Sequence, residues 1–284
     1  MAIRPKTLWA SIAPVLIGSA MAYDDGFLDW VTAIVTLLGA LLIQITTNFA
    51  NDYFDFKKGA DHSERIGPTR VTQAGLVKPA EMKLAITIVF ALGVLAAIYL
   101  INIGGTPIII IAVLSVACAF LYTAGPYPLG YLGLGDIFVL IFFGPVAVGG
   151  TYYVQTLNIN PLIIIAGIAP GFLSVAVLTV NNLRDIDSDR KSNKRTLAVR
   201  FGRSFAMGEY FFCVLAAAAI PVILCVITKD YEYSLLASLI PFLAYPSIKA
   251  VFTKVEGPAL NAALGQTGKL LLFYSILFSL GWLL

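Results

Sequence analysis

Residues 85–124 read AITIVFALGVLAAIYLINIGGTPIIIIAVLSVACAFLYTA, forty positions without a charged side chain. A helix crosses the hydrocarbon core of a bilayer with roughly 20 apolar residues. This stretch is about twice that length, and Gly104-Gly105-Thr106-Pro107 interrupts its middle. It predicts two crossings, over 80–101 and 107–124, joined by a short turn. The same ruler applied outward gives seven more, over 8–23, 30–50, 134–153, 161–180, 205–228, 235–252 and 264–284. The runs are continuously apolar and lack the alternation of a membrane β-barrel. The expected fold is all-α and integral to the membrane: nine transmembrane helices around a central cavity, in a single domain over residues 1–284.

Composition agrees. Of the 284 residues, 59% are hydrophobic and 12% charged, and mean hydropathy is +0.87. Soluble domains carry about 25% charged residues. An ordinary cytosolic enzyme, a disordered chain and a nucleic-acid-binding module are excluded on that ground. Cys118, Cys213 and Cys225 all lie in apolar runs and no CxxC pair occurs, so neither a disulfide framework nor a Cys/His metal site is expected. The single histidine, His62, reads as a loop residue. The basic N-terminus lacks a signal-peptide pattern.

The basic residues fix an orientation. With nine spans, 18 of the 19 lysines and arginines fall on the side of the N-terminus, and only Lys229 falls opposite. The positive-inside rule then predicts a multi-pass protein of the cell membrane, N-terminus cytoplasmic and C-terminus extracytoplasmic. The opposite loops are short, so chemistry is expected at the cytoplasmic face, in the loops over about 48–79 and 181–203.

Six of the eleven aspartates sit in those two loops. Asn48, Asn51, Asp52 and Asp55 are spaced i, i+3, i+4 and i+7, and share one face if the second helix runs on by two turns. Asn182, Asp185 and Asp189, at i, i+3 and i+7, repeat the pattern after the sixth span, with Asp187 pointing elsewhere. The matching positions suggest a degenerate internal repeat. Stacked carboxylates at a membrane boundary repel one another, and a divalent cation removes that conflict. Aspartate and asparagine oxygens suit Mg²⁺, which takes its remaining ligands from phosphate oxygens. The interleaved basic residues suit the same phosphates. Two such clusters opening into an apolar bundle predict a site for Mg²⁺ and a diphosphate with a long apolar tail. A solvated helix cap is the plain reading of one acidic residue, but not of two one-face clusters. Tyr122, Tyr127 and Tyr131 fit equally as interfacial belt aromatics or as site residues.

At these residues the chain resembles the UbiA superfamily of intramembrane aromatic prenyltransferases. The first family motif appears as Asn51-Asp52-Tyr53-Phe54-Asp55 with a further Asp61, and the second as Asp185 to Asp189 followed by Arg190-Lys191-Ser192-Asn193-Lys194-Arg195. Arg4-Pro5-Lys6-Thr7, Arg65 to Arg70 and Tyr131 to Asp136 look most like the MenA-like branch, the 1,4-dihydroxy-2-naphthoate polyprenyltransferases of menaquinone synthesis. Two departures from the wider family stand out: Gly59 occupies the place of a usual aspartate, and the loop over 121–136 carries no Lys or Arg. The resemblance implies Mg²⁺-dependent transfer of a polyprenyl group from polyprenyl diphosphate to dihydroxynaphthoate, with decarboxylation to demethylmenaquinol. Asp52, Asp55, Asp185 and Asp189, with Asp61, would ligate the metal. Asn48, Asn51, Asn182, Arg70, Lys191, Lys194, Arg195, Tyr122 and Tyr131 would bind substrate, and membrane lipid would surround the bundle. Arg4, Lys6 and Arg70 are candidates for the acceptor carboxylate. The alternatives are another acceptor, such as 4-hydroxybenzoate or homogentisate, or a membrane transporter for Mg²⁺ or phosphorylated lipid. Transporter sites sit near the midplane, and no Asp or Glu falls at the middle of a span.

Overall fold

The structure, a computed structural model, describes residues 2–57, 70–122 and 128–284. Its elements are α1 (Pro5–Asp24), α2 (Trp30–Lys57), α3 (Pro79–Leu121), α4 (Gly135–Phe142), α5 (Pro145–Thr156), α6 (Pro161–Arg184), α7 (Ile186–Lys191), α8 (Leu197–Thr228), a 3₁₀ turn (Glu232–Leu239), α9 (Ile240–Thr253) and α10 (Gly257–Leu283). No strand occurs among the described residues.

Among the described residues, seven helices are long and apolar enough to cross a membrane; with α1 added and α3 counted as two, the total fits nine crossings. As one straight rod, the 43 residues of α3 would span about 65 Å, roughly twice the hydrocarbon thickness. The rod is broken at Gly105, whose φ of 61° and ψ of −145° are non-helical, two residues before Pro107. Only glycine takes that backbone conformation without strain. The first half packs on α2 and the second on α5. Conversely, the span expected over 134–153 is two helices, α4 and α5, split at Gly144-Pro145. There the chain presses on α6: a Cβ on Gly144 would lie 2.6 Å from the Gly167 carbonyl oxygen. Small residues allow such close approach in membranes.

Several helices outrun the apolar windows. α2 continues to Lys57, which supplies the two further turns its acidic face requires. α8 begins at Leu197 because Thr196 caps it, Oγ1 accepting the Val199 amide at 3.3 Å. α10 begins at Gly257 rather than near 264. Polar first turns that emerge from the bilayer are invisible to a hydropathy ruler.

Packing is uneven. α6 is the central helix, with α4, α5, α8 and α10 against it, and α1 fits between α10, α5 and α2. The buried core is drawn chiefly from α1, α6, α8 and α10. The α2–α3 pair stands off from this core and walls a cavity.

Candidate active site

The cavity holds about 390 Å³ between α1, α2, both halves of α3, and α4–α5. Its lining is almost wholly apolar, with Phe90, Ile111, Phe138 and Val154 among it. A second pocket of about 160 Å³ adjoins it and is polar: Arg4, Asn51, Asp55, Arg70, Tyr131, Asn181 and Lys194 line it. Ala10, Gln44, Asn51, Tyr122, Val139 and Phe143 line both spaces. The two are therefore one compartment, charged at one end and greasy along its length, with Tyr122 at the junction.

The first acidic segment comes from the last two turns of α2. Asp55 accepts from Arg70 Nη2 at 2.7 Å, and Tyr131 Oη donates to its other oxygen at 3.4 Å. Asp52 is 1% exposed and, like Asp185 and Asp189, does not line the pocket. Its oxygens accept the backbone amides of Val71 and Thr72, both at 3.1 Å. Asn48 Nδ2 donates to the Ile3 carbonyl at 2.9 Å, so this residue ties α2 to the start of α1. That start is itself unusual. Arg4 has left-handed backbone, φ 54° and ψ 67°, and its carbonyl accepts both the amide and the hydroxyl of Thr7.

The second segment lies where α6 passes into α7. Arg184, absent from the sequence-derived site, organises it. Its Nε and Nη2 reach the two oxygens of Asp185 at 2.8 and 2.5 Å, Nη2 also donates to Asn181 Oδ1 at 2.8 Å, and Nη1 to Asn261 Oδ1 at 2.6 Å. The only sequence signal for this was an arginine beside a motif aspartate. Lys194 Nζ lies 3.5 Å from Asp189. Asn182 is buried and its Oδ1 has no hydrogen-bond partner, whereas Asn181 is the asparagine that lines the pocket. Asp187 is exposed, as its spacing requires; Lys191 and Arg195 are exposed and outside the pocket lining. Asp61 and Tyr127 lie outside the described residues.

The loop after α3 joins the two segments. The Tyr131 carbonyl accepts the Arg195 amide at 2.9 Å, and Arg200 Nη2 donates to the Leu132 carbonyl at 2.8 Å. Tyr131 is thereby held between Asp55 and the chain that follows the second motif. Burial pushes the Tyr122 phenol well above its usual range, and the carboxylates of Asp136, Asp189 and Asp55 push it further, against a smaller opposing pull from Arg4. Tyr122 is thus a neutral hydroxyl at physiological pH.

The opposite end of the bundle has no comparable arrangement among the described residues. Its acidic groups are satisfied structurally: Tyr152 Oη donates to Asp25 at 2.5 Å and Tyr231 Oη to Asp24 at 2.9 Å.

Among the described residues, no three of His, Cys, Asp and Glu converge on one point. Each motif offers an incomplete set of oxygen donors, and the orphaned Asn182 Oδ1 adds one more. An oxygen-only, incomplete set fits Mg²⁺, which binds through few protein groups and takes phosphate oxygens as well.

The family model for the UbiA prenyltransferases matches residues 11–283. The chain is 38% identical to a 1,4-dihydroxy-2-naphthoate octaprenyltransferase of Haemophilus influenzae, over 99% of this chain and 94% of that protein. It is 37% identical to the Escherichia coli protein of the same name, over 98% and 92%. Among solved structures, a UbiA homolog from Archaeoglobus fulgidus bound to GPP and Mg²⁺ superposes with a TM-score of 0.66 at 14% identity, covering 98% of each chain. A shared apolar-and-charged compartment, two matching aspartate motifs and near-complete coverage by these relatives converge on one conclusion: the chain is a multi-pass membrane protein that belongs to the UbiA prenyltransferase family.

Proposed function

We propose that this protein transfers a polyprenyl group from polyprenyl diphosphate to 1,4-dihydroxy-2-naphthoate, with loss of carbon dioxide, to give demethylmenaquinol in menaquinone synthesis. The observation that carries the reading is the joined compartment: an apolar cavity running into a pocket lined by Asp55, Arg70, Tyr131 and Lys194. The relatives at 38% and 37% identity carry the name of this reaction.

The apolar cavity takes the prenyl tail, and its burial there draws the diphosphate to the charged end. Arg70 and Lys194, now beside Asp55 and Asp189, are the cations that meet the diphosphate oxygens. Asn51 and Asp55 on one wall, with Asn182 at the end of α6, Asp185 at the joint and Asp189 on α7, would hold Mg²⁺. Bound Mg²⁺ supplies neutralisation of the charge that the departing diphosphate develops. Arg184 holds Asp185 in one orientation through both oxygens, so that carboxylate does not reorganise during turnover. Tyr122, at the junction of the two spaces, would donate a hydrogen bond from its neutral hydroxyl to an oxygen of the departing diphosphate. The apolar walls exclude water, which would otherwise intercept the allylic cation.

The acceptor's ring attacks that carbon, and its carboxylate needs a cation of its own. Lys6 is exposed and packs beside Gly265, away from the pocket, and Arg70 serves Asp55. Arg4 lines the pocket from the α1 side and is assigned this role. The polar end faces the cytoplasm and the C-terminus lies outside, on the strength of the basic residues that cluster there. The test is product identification by mass, with purified protein, Mg²⁺, a polyprenyl diphosphate and competing aromatic acids. Preferential prenylation of hydroxybenzoate would refute the acceptor assignment.

A further inference from the structure

Asp52 belongs to the motif and, like Asp185 and Asp189, is not part of the pocket lining; what sets it apart is what its oxygens hold. Its carboxylate is buried, does not line the polar pocket, and grips two successive backbone amides, those of Val71 and Thr72, at 3.1 Å each. A carboxylate accepting two backbone N–H bonds is a strong, directional anchor. The residue before this anchored pair is Arg70, and its guanidinium reaches Asp55 at 2.7 Å. Asp52 and Asp55 are three residues apart, neighbours on one face of α2. The chain leaves α2 at Lys57 and is back against the same face by Arg70. The anchor and the ion pair therefore lie one helical turn apart and fix one another's register.

We propose that Asp52 is a positioning residue rather than a metal ligand: it fastens the returning chain at Val71 and Thr72 so that Arg70 is presented to the polar pocket beside Asp55. The anchor stands on the hydrogen bonds alone. What Arg70 does there, receiving the diphosphate, rests on the functional reading above. In this arrangement the two aspartates divide the work. Asp55 faces the pocket, and Asp52 holds the loop that supplies the cation.

Two measurements on the full chain in detergent micelles test this. The first is amide hydrogen exchange without metal or substrate. Hydrogen bonds to a charged acceptor protect strongly, so Asp52→Ala should speed exchange at Val71 and Thr72 by about tenfold or more. Arg70→Ala keeps the anchor and should leave those amides protected. The second is binding of inorganic pyrophosphate with Mg²⁺. Asp52→Ala and Arg70→Ala should each weaken pyrophosphate by about tenfold, and the double variant should be no worse than Arg70→Ala, since residues acting through one group are not additive. The Mg²⁺ half-saturation of Asp52→Ala should stay within about twofold of the parent. Asp52→Asn keeps one acceptor oxygen and serves where the alanine variant does not fold. Protected amides in the Asp52 variants, a large loss of Mg²⁺ affinity, or additive pyrophosphate losses would each overturn the proposal. So would global unfolding of Asp52→Asn, because the anchor would then serve the whole bundle. Failure of the parent to prenylate any naphthoate would refute the functional reading but leave the exchange result standing.

Discussion

The two acidic segments look alike in sequence and are built differently. At the end of α2, the cation on Asp55 is Arg70, fifteen residues on, delivered by a returning loop. At the end of α6, the cation on Asp185 is its own neighbour, Arg184, which also engages Asn181 and Asn261. The helices differ in the same sense. In the most apolar window of α6, 72% of residues are buried within the protein, against 11% in α2 and none in α3. One half of the site is set into the packed core. The other is assembled at the rim of the cavity by a loop. The uneven packing gives the compartment one wall set in the core and one wall whose other side faces outward.

That contrast gives its largest effects at the motif carboxylates. Asp55→Ala and Asp185→Ala should each lower turnover by at least about a hundredfold, the scale of losing one preorganised electrostatic group. Their stabilities should diverge. Asp185→Ala leaves Arg184, whose side chain is 1% exposed, with two neutral amide acceptors and no counter-charge, and breaking a buried pair in this way costs about 3–5 kcal/mol. Asp55→Ala removes one partner of Arg70, whose side chain is 8% exposed and lines the polar pocket, where water can replace the carboxylate, so it should cost less than Asp185→Ala. Thermal unfolding of the two variants in the same detergent checks this; equal losses would erase the distinction between the halves.

A smaller effect is expected at Arg4. Arg4→Ala should raise KM for the naphthoate by about tenfold, the scale of one charge-assisted hydrogen bond, with KM for the diphosphate donor little changed. The reverse pattern in steady-state kinetics would move Arg4 to the donor. Asn261→Ala removes one acceptor of Arg184 and should destabilise by about 1 kcal/mol with activity retained. The smallest change is in pH dependence. The Tyr122 phenol is held neutral by burial and nearby carboxylates. Tyr122→Phe should therefore lower the rate without altering the shape of the pH–rate profile between about pH 6 and about pH 9. A lost limb in that range would mean that Tyr122 ionises during turnover.

Much of the fold was legible because its signals are local. Forty uncharged residues with Gly-Gly-Thr-Pro at their centre could only be two crossings, and the i, i+3, i+4, i+7 spacing correctly required α2 to outrun its apolar segment. What stayed hidden depends on long-range or fine geometry. The sequence offered Asp52 and Asp55 as equals; which of them takes the backbone amides of the returning chain and which takes its arginine is decided by contacts fifteen to twenty residues away. It favoured Asn182 by periodicity, yet Asn181 lines the pocket, because α6 gives way to α7 at Asp185 and the helical spacing no longer runs through. Arg184 read as one more basic loop residue, since its partner Asn261 lies on α10.

The most direct test of the central claim is a single competition reaction. Purified protein receives Mg²⁺, a polyprenyl diphosphate and equal amounts of 1,4-dihydroxy-2-naphthoate and 4-hydroxybenzoate, with and without a chelator, and products are weighed by mass spectrometry. The predicted product has the mass of the naphthoate plus the prenyl group less carbon dioxide, and it disappears on chelation. A prenylated hydroxybenzoate as the main product, or undiminished turnover in the chelator, would contradict the account.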